Sequence, residues 1–135
     1  MKAIYLVIKG EPASKANSRR LVLRGKRPAF IKSAKALSYA DAFSLQIKPL
    51  ETLLEGQLRM DIWIFYATHR PDLDESLILD LLQGKVYAND RQIRERHCYH
   101  YIDKANPRVE IAISQRDIDA GIAAQDHWKK LASKM

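Results

Sequence analysis

The sequence predicts an α+β fold, a single compact domain in which a mixed β-sheet is covered by helices. Three observations carry this expectation. Segments 2–9 and 57–67 are apolar strands, and segments 34–48 and 118–133 repeat apolar residues at helical spacing. Strand-like and helix-like segments also follow one another in a mixed order, without regular alternation and without internal repeats. A length of 135 residues fits one domain spanning 1–135 and leaves little room for a second.

The elements follow in chain order. Residues 2–9 set Ala3, Tyr5 and Val7 against Ile4, Leu6 and Ile8, so both faces are apolar and the segment reads as an inner strand. A polar loop follows from Gly10 to Arg20. Leu21-Val22-Leu23 and Pro28-Ala29-Phe30-Ile31 flank Arg24-Gly25-Lys26-Arg27, which predicts a short hairpin with a basic tip. Ser33 is placed to cap a helix over about 34–48, with Leu37, Ala40, Phe43 (or Ser44) and Ile47 on its inner face and Pro49 ending it.

Gln57 to Ala67 is the clearest strand. Asp74 to Leu82 reads as a short apolar helix in which Leu77/Leu81 and Ile78/Leu82 pair one turn apart, followed by Gly84 at a helix-ending position. Ile93 to Ile102 and Arg108 to Ser114 read as paired strands around a turn at Lys104-Ala105-Asn106-Pro107. The last helix, about 118–133, aligns Ile118, Ile122, Gln125 (or Ala124) and Trp128. Trp63 and Trp128 are expected in the core.

Composition removes several classes. Cys98 stands alone, which excludes an intramolecular disulfide framework and a multi-cysteine zinc site. No stretch reaches the ~18–20 apolar residues that span a bilayer. Residues 1–9 are too short and too alternating for a secretory signal, so a cytoplasmic location is expected. His97-Cys98-Tyr99-His100 resembles a ligand cluster, yet alternation sends Cys98 and His100 to one face and His97 and Tyr99 to the other, which favours strand packing over zinc.

The net charge of +7 is unevenly placed. Residues 1–35 hold ten basic side chains and one acid, Glu11, for +9; the other hundred residues hold 13 basic and 15 acidic, for −2. A local field of this kind suits a polyanion, and nucleic acid is the commonest. A basic solubilising face is the plain alternative. With no amphipathic helix in this region, a membrane partner is not expected.

Within this basic chain, Asp72, Asp74 and Asp90 fall at element boundaries. Asp72 and Asp74 lie between a strand and a helix, either side of Leu73, and Asp90 precedes the next strand. Three carboxylates beside a basic surface could hold one or two Mg²⁺ ions against a phosphodiester, polarising the phosphoryl oxygen and supplying a water nucleophile. The same residues could instead be a helix N-cap and an Asn-Asp turn, and spacing alone leaves both readings open.

The string Arg70-Pro71-Asp72-Leu73-Asp74, a Leu-rich helix with Asp80, and Gly84-Lys85-Val86-Tyr87-Ala88-Asn89-Asp90-Arg91-Gln92-Ile93 resembles the RusA-type Holliday junction resolvases. The loop Gly10-Glu11-Pro12-Ala13-Ser14-Lys15-Ala16-Asn17-Ser18-Arg19 is similar to the family's polar loop after its first strand. The resemblance runs from the first strand to about residue 113, and 70–93 is its specific part. It implies a homodimeric, Mg²⁺-dependent endonuclease (Mn²⁺ as substitute) that resolves four-way DNA junctions in recombination and repair, encoded by bacteria or their prophages.

By the same resemblance Asp72, Asp74 and Asp90 match the metal-binding, catalytic carboxylates, Asp80 matches a helix aspartate, and Arg70 matches a basic position facing DNA. Lys15, Asn17, Arg19 and Arg20 in the loop and Arg24, Lys26 and Arg27 at the hairpin tip are the further expected DNA contacts. Two departures stand out. Glu75 replaces the family's usual Asn after the second Asp, and Ile78 (or Leu77) replaces a helix lysine, for which Lys15 and Lys85 are candidate substitutes. The segment from Asp74 to Asp90 is also slightly shorter than usual. Competing readings are a nuclease for flaps or forks, and a DNA-binding module without catalysis, which would not need Mg²⁺.

Overall fold

A computed structural model describes residues 3–13, 19–69 and 75–134. The elements are β1 (Ala3–Lys9), β2 (Arg19–Arg24), β3 (Arg27–Lys32), α1 (Ala34–Gln46), β4 (Leu58–Tyr66), α2 (Glu75–Leu82), a 3-10 turn (Asp90–Gln92), β5 (Ile93–Ile102), β6 (Arg108–Gln115) and α3 (Ile118–Ser133). The main sheet is mixed, in the order β1-β6-β4-β5, and β2 and β3 form a separate two-stranded sheet. This is the expected α+β architecture.

Alternation along β4 decides where the core lies. Leu58, Met60, Ile62, Ile64 and Tyr66 are buried, and the residues between them are only half-buried. Ile8 of β1 and Val109, Ile111 and Ile113 of β6 join the same inner face. Helices α1 and α2 close it with Ala36, Tyr39 and Phe43 and with Leu77, Ile78, Leu79 and Leu82. Gln46 fastens the end of α1 to β1: the Lys9 N–H donates to its Oε1 at 2.7 Å, and its Nε2 donates back to the Lys9 carbonyl at 3.1 Å.

Several expectations need correction. β1 pairs only with β6 and is an edge strand; its second apolar face, Tyr5 and Val7, belongs to the open side of the sheet. β5 and β6 are not partners, because β4 lies between them, parallel to β5 and antiparallel to β6. The 103–107 link passes the end of β4, where the Asp103 N–H bonds the Tyr66 carbonyl at 2.8 Å. Of the inner face expected for α1, Phe43 and Ile47 are buried, but at its start Leu37 is exposed and Ala36 and Tyr39 are buried instead. Neither tryptophan is in the core: Trp63 sits on the open sheet face and Trp128 is 67% exposed.

The caps and turn read from the sequence are present. The Ser33 hydroxyl accepts from the Ala36 N–H at 3.1 Å and starts α1. Gly25, at φ +63°, opens the two-residue turn of the β2–β3 hairpin.

Candidate functional site

The site is built around α2 and the turn that follows it. The helix is held by its apolar side, which leaves Asp80 exposed on the other. Asp80 accepts from Lys32 Nζ at 3.0 Å through Oδ2 and from Gln83 Nε2 at 2.9 Å through Oδ1. Lys32 ends β3, so this ion pair ties the basic hairpin to α2. Gln83 also turns toward the next element, its Oε1 accepting from the Asp90 N–H at 3.0 Å.

Asp90 opens a 3-10 turn whose neighbouring polar groups are committed to holding it. Asn89 caps the turn, with Oδ1 accepting from the Arg91 N–H at 2.9 Å. Gln92 completes a reciprocal capping box, accepting from Ala88 and Asn89 N–H at 3.1 and 3.2 Å. The Gln92 amide nitrogen donates to the carbonyls of Leu54 and Gly56 at 3.0 and 3.1 Å. Against this fixed frame the half-buried Asp90 carboxylate accepts no hydrogen bond from the described residues. Hard oxygens on a rigid turn fit a hard divalent cation.

Beneath the turn, the buried Tyr87 hydroxyl donates to the Leu79 carbonyl at 2.7 Å. Burial raises its pKa above the ordinary tyrosine range, and the charges of Asp90 and Asp80 add to this while Arg96 opposes them. Arg96 also acts on Cys98, whose thiol is pushed up to about 12, first by burial and then by Glu75 beside it. The start of α2, the Asp90 turn and the Arg96–Cys98 stretch of β5 therefore share one neighbourhood.

The loop after β1 is anchored at its root to the end of β4. The loop after β1 buries Pro12 and Ala13, and the Ala67 N–H donates to Glu11 Oε2 at 2.7 Å. That bond joins the root of the Lys15-containing loop to the end of β4, from which the Asp72-Leu73-Asp74 segment departs.

The expected site residues separate into three groups. Asp80, Lys85 and Asp90 are placed as described, with Lys85 Nζ donating to the Ile47 carbonyl at 3.0 Å beyond the end of α1. On the hairpin, Arg19, Arg20 and Arg24 lie on β2, and Lys26 and Arg27 are exposed at the tip. Lys15, Asn17, Arg70, Asp72 and Asp74 lie outside the described residues. Among the described residues no three His, Cys, Asp or Glu side chains gather as a metal-holding group.

Gln83, Lys32 and Arg96 were not singled out from the sequence. Their roles depend on partners tens of residues away or on the far side of a turn. Gln92 was visible only as part of a motif, and its two sets of bonds give the physical reason for a glutamine there.

A family model described as Endodeoxyribonuclease RusA matches residues 9–114. The chain belongs to the RusA endodeoxyribonuclease family. It is accordingly an endonuclease of the RusA type, the type that resolves Holliday junctions. The match takes in the hairpin, α2 and the Asp90 turn, and ends before α3. No curated protein matches this RusA-family chain. Among its described residues no helix is long and apolar enough to cross a membrane.

Proposed function

We propose that this RusA-family endonuclease cleaves four-way DNA junctions with Mg²⁺ as cofactor and Mn²⁺ as substitute. In this reading residues 1–135 form one nuclease domain that works as a homodimer in the cytoplasm of a bacterium, in recombination or repair, from a host or prophage gene. One observation carries the reading: among the described residues Asp90 presents uncommitted carboxylate oxygens on a turn whose neighbouring polar groups are tied to the scaffold.

Asp72, Asp74 and Asp90 hold the metal. When bound, the cation polarises the phosphoryl oxygen and supplies a water nucleophile. Lys15, Asn17, Arg19, Arg20 and Arg70 bind flanking phosphates and orient the scissile strand, while Arg24, Lys26 and Arg27 hold a duplex arm. Asp80, paired with Lys32, keeps the hairpin at a fixed distance from α2. Lys85 is engaged with the Ile47 carbonyl, so of the two candidate lysines Lys15 is the one proposed to act on the phosphate. A two-fold dimer sets one site against each of two symmetry-related strands.

Asp90→Asn tests the assignment. Mg²⁺-dependent cleavage is expected to fall at least ~100-fold, about 2.7 kcal/mol in the barrier, with junction binding by mobility shift within about twofold. Cleavage at the wild-type rate would remove Asp90 from the site.

A further inference from the structure

β5 is the edge strand of the main sheet, and its register on β4 decides which of its side chains look toward the carboxylate site. Arg96, Cys98 and His100 stand opposite Met60, Ile62 and Ile64 of β4. Partners in register share a face, so all three project from the side of the sheet that carries the core. At the sheet edge this face runs out from under the helices. Cys98 is half-buried, and Arg96 and His100 are exposed.

Each of the three marks a different part of the site. Arg96 reaches the Asp90 turn, since its charge acts on Tyr87 beneath that turn, against the charges of Asp90 and Asp80. Cys98 lies beside Glu75, the residue that follows Asp74 in the chain. His100 stands at the end of β4, its ring stacked on Tyr66 at 5.6 Å and its Nδ1 2.8 Å from the Tyr66 hydroxyl. The Asp90 turn, the first residue of α2 and the end of β4 therefore follow one another along a single row of β5 side chains.

The two outer members of the row are free to take a ligand. Arg59 is held by Asp61 at 2.8 Å, Arg108 by Asp103 at 2.9 Å and Arg116 by Glu95 at 3.5 Å. Lys32 is paired with Asp80, Lys85 is bonded to the Ile47 carbonyl, and α2 carries no basic residue. Arg96 has neither an ion pair nor a hydrogen bond among the described residues. Its planar fork of donors matches phosphate oxygens. In the tautomer that accepts from the Tyr66 hydroxyl through Nδ1, the His100 ring carries its hydrogen on Nε2 and donates outward.

We infer that Arg96 and His100 bind phosphates on either side of the one to be cut, so that the scissile strand runs along β5. The inference rests on the nuclease reading above and names how that site holds its substrate. Four residues of a β-strand span about 13 Å, about the axial rise of four nucleotides of one strand. Arg96 and His100 therefore meet different phosphates. Cys98 stands midway between them, and beside it Glu75 opens α2. Arg96 clamps one phosphate with its charge, and His100 holds the other with a ring that Tyr66 keeps in place.

Interference by single methylphosphonates tests the inference. Each one replaces a charged phosphate oxygen of the cleaved strand by a methyl group. Binding of the four-way junction is read by mobility shift without metal, and the cut position is mapped separately with Mg²⁺. Wild type is expected to lose affinity at least ~10-fold at one phosphate on each side of the cut. Arg96→Gln is expected to lose that sensitivity at one of the two and His100→Gln at the other, a pattern that general loss of structure does not give. Arg96→Gln should also flatten the slope of log K against log salt by about 0.9, and Arg96→Lys should restore it. Lys129→Gln, which removes one charge from the exposed side of α3, is expected to keep both sensitivities. Arg96→Gln or His100→Gln with the full wild-type pattern would overturn the inference and leave the nuclease reading intact, as would loss of the same sensitivities in Lys129→Gln. A wild type that binds junctions but cuts none would overturn the nuclease reading, and separate losses in the two variants would still place the strand along β5.

Discussion

The backbone N–H of Asp90 donates to Gln83 Oε1 at 3.0 Å, while the amide nitrogen of the same Gln83 holds Asp80 at 2.9 Å. The helix that begins one residue after Asp74 therefore also fixes the turn that carries Asp90. The two consecutive elements, α2 and the Asp90 turn, are coupled through one neutral side chain.

Gln83 is accordingly a positioning residue. Gln83→Met removes both bonds at nearly constant volume, each with a net worth of about 0.5–1.5 kcal/mol. Cleavage by Gln83→Met is expected to fall about 10-fold in kcat, with junction affinity within about twofold. Single-turnover kinetics beside mobility shifts separate this outcome from a loss of DNA binding.

The hairpin tip should act through phosphates and without sequence preference. Lys26→Ala and Arg27→Ala are each expected to weaken DNA binding uniformly across sequences. Each is also expected to flatten the slope of log K against log salt by about 0.9. Titrations between low and moderate salt measure that slope directly.

Cys98 gives a pH-dependent prediction. Burial, with Glu75 second, raises the thiol from 9.0 to about 12. Above pH 9 the unfolded chain releases this proton while the folded chain retains it, so the thiol's contribution is complete below pH 9 and is lost as pH rises toward 12. Denaturation at a series of pH values should show a steeper alkaline loss of stability in wild type than in Cys98→Ala. At pH 8 the native thiol should react with a disulfide reagent at least ~10-fold more slowly than the denatured one.

Ser33→Ala removes the cap of α1 and is expected to cost about 1 kcal/mol. For a domain of this size that is a fall in Tm of about 4 °C, readable by thermal denaturation.

Local signals were legible in the sequence because their causes are local. Ser33 caps α1, Gly25 turns the hairpin, and the alternation of 57–67 marks the central strand. Pairing was not legible, because β4 enters between β5 and β6 from 27 residues or more upstream, and nothing in 93–114 records its arrival. Trp63 and Trp128 were misplaced for a related reason. Apolarity was equated with burial inside one chain, whereas both lie on surfaces that this chain leaves open. At the site, Asn89-Asp90-Arg91-Gln92 could be recognised as a motif, but the bonds from Gln92 to Leu54 and Gly56 and from Gln83 to Asp90 span contacts that no periodicity encodes.

The most direct measurement is Mg²⁺-dependent cleavage of a labelled four-way junction beside plain duplex and a flap, by wild type and Asp74→Asn. Paired nicks in the junction, absent from the duplex and from Asp74→Asn, are the expected result. Cleavage by Asp74→Asn at the wild-type rate, or no preference for the junction over duplex and flap, would contradict the assignment.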